Sequence, residues 1–423
     1  MPTRAETAYF GAGPAPLPTP VITAAAAALT NFNDTGLGLG EISHRSPAAN
    51  KILADAKRSL ATLLDVPEEY EVLFMQGGGS GGFAAVVQNL VGVWVERRRA
   101  ETGDDVEKLR RKVEEELRLD YIVTGSWSLK AAQEATRLVG EKHVNIAVDA
   151  RTADGAGGKF GGIPPEEGWK LTPTVKEGGK AAPAFVYYCD NETVDGVEFP
   201  CFPKVLEDEE RLVVADMSSN FLSRKVDVGK YAVIFCGAQK NVGVAGITIT
   251  LIRKSLLPPQ TPTPPASLLR SLHIGSLPGP IILDYATTAK NNSLYNTLPI
   301  FNLWIAAEVM GRLVSTYGSV AGQEAVADEK ARLLYGVLDR YPDVYGVVPR
   351  REVRSRMNVC FRVCGGDEAR EKEFVAGAEK RLLMGLKGHR SVGGMRVSNY
   401  NAVPVENVKR LVGYLEEFAE GRA

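Results

Sequence analysis

Val72-Leu-Phe-Met75-Gln76-Gly77-Gly-Gly-Ser80-Gly-Gly82-Phe83, running on through an apolar-spaced stretch to Val95, decides how this chain folds. Four consecutive apolar residues read as a buried strand, and residues 83–95 carry apolar side chains at helical spacing. Between them stand five glycines in six residues, which let the backbone turn sharply and approach a ligand closely. Strand, glycine turn and helix make the first unit of an α/β layer. The same texture recurs downstream, with apolar runs at 121–123, 144–148, 184–188, 212–215, 232–235 and 247–252. Continuous apolar strands separated by helices and loops predict a mostly parallel sheet covered on both faces.

Upstream, Thr19 is placed to cap an alanine-rich helix with Pro20 at its first position, and residues 47–64 read as a second helix. Residues 96–118 form a dense mixed-charge segment whose opposite charges recur three and four apart, the pattern of a solvated surface helix. Five prolines between 256 and 265 mark a loop after the last sheet strand. From about Tyr317 the pattern changes to amphipathic helices at 320–338, 368–386 and 405–420 around a strand at 358–363, a smaller α+β unit.

The 423 residues carry 50 Lys+Arg against 51 Asp+Glu, so the chain lacks the basic excess of a nucleic-acid binder, and any anionic ligand must be held by a local cluster. No apolar run reaches secretory-signal or membrane-span length. Five scattered cysteines make no disulfide framework, and the four histidines show no zinc spacing. Cys360 and Cys364 read as small apolar residues along one strand. A soluble cytoplasmic protein without a metal is expected.

Several positions can carry chemistry. Gly77, Gly79 and Gly82 satisfy G-x-G-x-x-G between strand and helix, which suits a dinucleotide, a single phosphate or a tight turn; no Gly-Lys-Ser/Thr follows, so a Walker loop is excluded. Asp216 ends one predicted strand and Lys240 follows the next, so both can face one crevice at the strand ends. An acid beside a pyridine nitrogen keeps that ring an electron sink, and a lysine beside an aldehyde forms a Schiff base and shuttles a proton. Glycine turn, acid and lysine occur in the order a pyridoxal-phosphate enzyme needs. Trp127 can stack on a flat ring or sit in the core. Thr193 lies in a post-strand loop, and Asn296-Thr297 can bind phosphate or cap the helix beyond Pro299. His44-Arg45 and His389-Arg390 are doublets suited to phosphate or carboxylate, and Arg396 sits near glycines that permit close ligand approach. His143 and His273 have no such company and read as structural.

The motifs Ser43-His-Arg45, Gly77-Gly-Gly-Ser80, Asn191-Glu-Thr-Val-Asp-Gly196, Gly237-Ala-Gln-Lys-Asn241, Tyr295-Asn-Thr297, Arg354-Ser-Arg-Met-Asn358 and Lys387-Gly-His-Arg-Ser-Val-Gly-Gly-Met-Arg396 resemble, in order over almost the whole chain, those of the phosphoserine aminotransferase family. That family lies within the class V aminotransferases of fold type I. The resemblance implies a large domain at 16–317 with a mostly parallel seven-stranded sheet, and a small C-terminal α+β domain at 318–423 joined by 1–15. It implies pyridoxal 5'-phosphate on Lys240, Asp216 at the ring nitrogen and Trp127 on the ring face. Gly79, Ser80, Gln239, Asn296 and Thr297 would surround the cofactor phosphate, and Thr193 the ring oxygen. Asn296-Thr297 would come from a partner subunit, which implies a homodimer with shared sites. Arg45 and Arg396 match residues that hold substrate carboxylates, while His44, His389 and Arg390 match residues around the substrate phosphate. The implied reaction moves an amino group between glutamate and 3-phosphohydroxypyruvate in serine biosynthesis. Two departures stand out: Ser80 replaces an Arg common in bacterial members, and the charged segment 96–118 is absent from compact ones. A cysteine desulfurase, with Cys236 the thiol nearest in sequence to Lys240, a nicotinamide dehydrogenase and a non-enzymatic binding module remain as rivals.

Overall fold

The computed structural model describes residues 1–153 and 155–422. A two-residue strand, β1 (Ala8–Tyr9), leads to α1 (Thr19–Ala28) and α2 (Pro47–Leu64). Then come β2 (Tyr70–Met75), α3 (Gly78–Thr102), α4 (Val106–Glu116), β3 (Leu119–Val123), α5 (Ser126–Val139) and β4 (Val144–Asp149). Strand β5 (Phe185–Cys189) is followed by the small hairpin β6 (Asn191–Glu192) and β7 (Val197–Glu198), then β8 (Val213–Asp216), β9 (Val233–Gly237) and β10 (Thr248–Arg253). Helices α6 (Ala266–Ser271), α7 (Tyr285–Lys290), α8 (Ile300–Tyr317) and α9 (Val320–Arg340) lead to β11 (Tyr345–Val347) and β12 (Asn358–Val363). The chain closes with α10 (Glu368–Lys380), β13 (Leu383–Met384), β14 (Met395–Ser398) and α11 (Val405–Ala419).

Seven strands form one sheet in the order β2-β10-β9-β8-β5-β3-β4. The pairs β9–β8, β8–β5, β5–β3 and β3–β4 are parallel, whereas β10 is antiparallel to both β9 and β2. Two inversions cancel, so β2 points the same way as β9. The C-terminal ends of β2, β9, β8, β5 and β3 therefore lie along one sheet edge.

Alternation along each strand fills two cores. Val213, Ala215, Ile234 and Cys236 face α2 and α8, while Val214, Val233 and Phe235 face α3 and α5. A third core gathers Phe361, Phe374, Val397 and Phe418 from the C-terminal part, together with Ala8 and Phe10 from the start of the chain. Here β11, β12 and β14 make an antiparallel sheet, and β1 pairs in parallel with β13.

Helix α2 shows how local sequence sets an element. The Ser46 hydroxyl accepts the Ala49 N–H at 3.1 Å, Pro47 occupies the first turn, and Asp65 closes the helix in the left-handed region. At four places the structure departs from the sequence expectation. Pro18, not Thr19, caps α1, and the Thr19 hydroxyl accepts from Arg4 Nε at 3.2 Å instead. The charged stretch is the tail of α3 plus a separate α4, broken at Gly103, and α4 buries Leu109 and Val113 as an i,i+4 pair. The helix expected over 368–386 stops at Lys380, because Leu382 turns left-handed and Leu383–Met384 join β1. Cys364 lies just beyond β12 rather than within it.

Candidate active site

The shared strand edge gathers the chemistry. Asp216 is the last residue of β8 and is only 4 % exposed. Its Oδ1 accepts the Ser218 N–H at 2.8 Å and the Ser218 hydroxyl at 2.6 Å, and the same hydroxyl oxygen accepts the Gly237 N–H at 3.0 Å. Burial raises the Asp216 carboxyl above the usual range, while the Ser218 donors and the Lys240 charge pull it down. Gly79, in the first turn of α3, lies against the other carboxylate oxygen: a Cβ there would stand 3.9 Å from Asp216 Oδ2.

The glycine turn serves packing as well as approach. Gly77 adopts φ +118°, where a side chain is strained, and a Cβ on Gly82 would meet the Phe235 ring at 2.5 Å. The start of α3, with no side-chain cap, thus lies close over β9 and presents its backbone N–H groups at the strand edge. Ser80 is exposed in the first turn.

Lys240 follows β9 in the turn Gly237-Ala-Gln-Lys240, with Gln239 half-buried beside it. Its Nζ donates to the Tyr400 hydroxyl at 3.2 Å and lies 3.4 Å from the Thr193 hydroxyl. Thr193 is buried in the β6–β7 hairpin, and its carbonyl accepts from Arg396 Nη1 at 3.1 Å. Arg396, on β14, is 8 % exposed and lines a cavity of about 670 Å³ with Ser126, Asp195, Cys360 and His389. Burial lowers the His389 imidazole, helped by the positive charges of Arg396, Lys130 and Arg390. Arg151, Lys159 and Arg362 line the same cavity.

Trp127 is placed by carboxylates of the same hairpin. Glu192 accepts the Trp127 N–H at 2.8 Å, the Ser128 N–H at 2.9 Å and the Ser128 hydroxyl at 2.6 Å, while Asp195 accepts the Ser126 N–H at 2.7 Å. Both acids cap the start of α5, where the helix dipole favours negative charge. Burial, reinforced by the Asp195 charge, pushes Glu192 up to about 8 against the pull of these donors. At a value of about 8 the acid is protonated at neutral pH, so the stability it lends is lost as pH rises from the ordinary carboxylate range toward 8; Glu192→Gln, which resembles the protonated acid, should flatten that loss. Thermal melts below and above that range whose difference is the same in both proteins would contradict this. The Trp127 ring lies 4.3 Å from Lys130 Nζ.

The structure therefore brings together Asp216, Lys240, Thr193 and Gly79, and adjoins Trp127, Arg396 and His389 to them. It leaves other expected residues apart within one chain. Asn296 and Thr297 are exposed, and Asn296 Nδ2 donates to Gln76 Oε1 at 2.7 Å, just before the glycine turn. Helix α8 begins at Ile300 with Pro299 as its cap, so neither residue caps it. Half-buried His44 and exposed Arg45 precede α2, and among the described residues no hydrogen bond joins them to Lys240, Arg396 or His389. Arg390 is exposed beside His389. Cys236 is fully buried in β9 and burial lifts its thiol far above the ordinary value, which disqualifies it as a mobile nucleophile. Among the described residues no cluster of His, Cys, Asp and Glu suits a metal, and no helix is long and apolar enough to cross a membrane.

Sequence reading missed Tyr400, Asn358, Lys130 and Glu192. Glu192 and Asn358 lay inside quoted motifs, and the spacing of Trp127 and Lys130 at i,i+3 was a usable signal for one helix face. Nothing local marked Tyr400.

The aminotransferase class-V family pattern matches residues 8–102 and 120–411, leaving out α4 and its flanks. The chain belongs to the class-V aminotransferases. Within that class its full-length likeness is to phosphoserine aminotransferases: it is 44 % identical to the one from Saccharomyces cerevisiae over 99 % of each chain, and 40 % identical to the one from Drosophila melanogaster over 97 % of each. Among solved structures, the phosphoserine aminotransferase from Bacillus circulans subsp. alkalophilus superposes with a TM-score of 0.80 at 32 % identity over 98 % of each chain. The PLP-bound enzyme from Trichomonas vaginalis gives 0.79 at 34 % identity, covering 97 % of this chain and 100 % of that one.

Proposed function

We propose that this chain is a pyridoxal-phosphate-dependent phosphoserine transaminase, exchanging an amino group between glutamate and 3-phosphohydroxypyruvate in the phosphorylated route of L-serine biosynthesis. The observation that carries the reading is the convergence of the Lys240 amine, the Thr193 hydroxyl and the buried Asp216 carboxylate at one sheet edge. The residues present fit the cofactor. The glycine start of α3, with Ser80 and Gln239, suits its phosphate, Asp216 its ring nitrogen, Trp127 its ring face, Thr193 its ring oxygen and Lys240 its aldehyde. When bound, that cofactor supplies a carbonyl that takes up the amino group and a ring that holds the electrons released at the substrate Cα.

Lys240 would take the proton from Cα and pass it to the carbon of the aldehyde within the same half-reaction, the reverse transfer serving the second substrate. Arg396 holds the α-carboxylate common to both substrates, and its bond to the Thr193 carbonyl fixes its position relative to Lys240. His389 and Arg390, with His44 and Arg45, receive the terminal phosphate or carboxylate; a cluster of fork-shaped and ring donors accepts either group. Residues 16–317 form the cofactor domain in this reading. Residues 318–423 with 1–15 form the small one, supported by the pairing of β1 with β13.

The test is an assay of phosphoserine formation from glutamate and 3-phosphohydroxypyruvate, repeated in two variants. Arg390→Ala should lose roughly ten- to a hundred-fold in kcat/KM for the phosphorylated substrate and less for glutamate, the value of one charge-assisted hydrogen bond. Arg396→Ala should impair both substrates alike. Equal losses for both substrates in both variants would show that the terminal group is held elsewhere.

The reading includes a cytoplasmic homodimer with shared sites. Residues 281–297 run along β2, the open edge of the large sheet, where the Ser293 hydroxyl accepts the Phe74 N–H at 3.0 Å. This segment exposes Ile281, Ile282 and Tyr295 next to Asn296 and Thr297, an apolar surface suited to a second copy. Mixing Lys240→Ala chains with chains carrying Asn296→Ala and Thr297→Ala should restore activity through heterodimers. No recovery under proven subunit exchange would mean that each chain completes its own site.

A further inference from the structure

We propose that Tyr400 is a catalytic residue of this site, its hydroxyl oxygen being the acceptor that receives Lys240 as an ammonium ion after proton transfer. The inference rests on the reading that Lys240 is the lysine that carries the cofactor.

The hydrogen bonds around the hydroxyl leave one arrangement. Tyr400 follows β14 and is 0 % exposed. Its oxygen lies 3.0 Å from the Ala12 carbonyl, which only accepts, so the single phenolic proton is committed there. Asn358 Nδ2 donates to the same oxygen at 3.2 Å, and its amide orientation is set by Asn191 Nδ2, which donates to Asn358 Oδ1 at 2.8 Å. Toward Lys240 Nζ, 3.2 Å away, the hydroxyl can therefore only accept. The Tyr400 ring adds to this, since Nζ lies 5.5 Å from its centroid.

The phenol is also held from its backbone. Lys330 on α9 is fully buried and donates to the carbonyls of Tyr400 at 2.8 Å, Val403 at 2.9 Å and Asn399 at 3.3 Å. A Cβ at Gly13, next to Ala12, would press to 2.9 Å from the Lys240 Cδ, so the N-terminal loop walls the lysine in. A lysine that has taken a proton from Cα carries one more N–H than before. Tyr400 and Thr193 supply the oxygens to which those hydrogens point.

The charged groups around Lys240 are Asp216 on β8 and, beyond the Thr193 carbonyl, Arg396 on β14. Both remain in Tyr400→Phe, which removes the hydroxyl together with its bonds to Ala12 and Asn358. Losing an acceptor destabilises the ammonium that forms as the proton leaves Cα, so it slows that step.

The experiment uses the Tyr400→Phe holoenzyme in the glutamate half-reaction. The single-turnover rate should fall by roughly three- to ten-fold, one hydrogen bond's worth. The isotope effect with α-deuterated glutamate should rise as proton transfer slows. Borohydride reduction and peptide mass mapping should still find the cofactor on Lys240. An unchanged rate and isotope effect, with Lys240 labelled, would overturn the role of Tyr400 and leave the functional reading standing. A cofactor absent from Lys240 in the unsubstituted enzyme would overturn that reading instead. If Tyr400→Phe does not fold, 3-fluorotyrosine at position 400 keeps the shape and weakens the acceptor. The rate must then fall as well, and an unchanged rate refutes the proposal.

Discussion

Replacing Lys240 with alanine should leave a folded protein whose amino transfer falls by at least ~10³-fold, because in the proposed function one side chain both carries the cofactor and moves the Cα proton. The fold should survive. Lys240 is half-buried, and its polar partners are the hydroxyls of Thr193 and Tyr400, the second of which keeps its bonds to Ala12 and Asn358. No other lysine bonds to Thr193 or Tyr400 hydroxyls among the described residues; Lys330 is buried behind Tyr400 and committed to three carbonyls. Single-turnover kinetics with glutamate, alongside a thermal melt, checks both halves. A variant that melts like the parent yet turns over at a tenth of its rate would remove Lys240 from the mechanism.

Asp216→Asn should cost ~10²–10³-fold in turnover, the scale of a preorganised electrostatic contact at a group whose charge matters in the transition state. Asparagine is the informative substitution here. Its amide oxygen can still accept the Ser218 N–H and hydroxyl that Asp216 Oδ1 now holds, so the turn after β8 and its link to Gly237 persist. What disappears is the negative charge facing Gly79 and, in the proposed function, the cofactor's ring nitrogen. Cofactor retention on gel filtration should drop with turnover. If both match the parent, Asp216 is a structural acid of the strand end.

These two residues were legible from sequence for a physical reason. Each sits at the end of a short apolar run, and a run of four or five apolar residues buried on both faces is a local signal that needs no knowledge of its neighbours. The observed β8 and β9 end at Asp216 and Gly237, so the acid and the lysine turn fall where the runs stop. Helix α2 and strand β12 occupy the expected residues because cap, proline and periodicity are local too. The expected helix over 368–386 failed for the complementary reason. Its amphipathic spacing continues past Lys380, but pairing with Ala8–Tyr9, over 370 positions earlier in the chain, offered Leu383–Met384 backbone partners that outweighed local propensity.

What sequence by itself determined, then, was the set of elements, the glycine turn, and the acid and lysine at strand ends. Sequence motifs also named the arginines and histidines proposed to recognise anions. Tertiary structure decided which of these share an edge. The inversion of β10 between β9 and β2 turns the glycine turn toward Asp216, and no local pattern records a strand's direction relative to its neighbours. Tertiary structure also supplied Tyr400, 160 positions from Lys240, and the buried Lys330 behind it. Their roles come from hydrogen-bond geometry across packed elements, where a hydroxyl is an acceptor for one neighbour only because another neighbour has taken its proton.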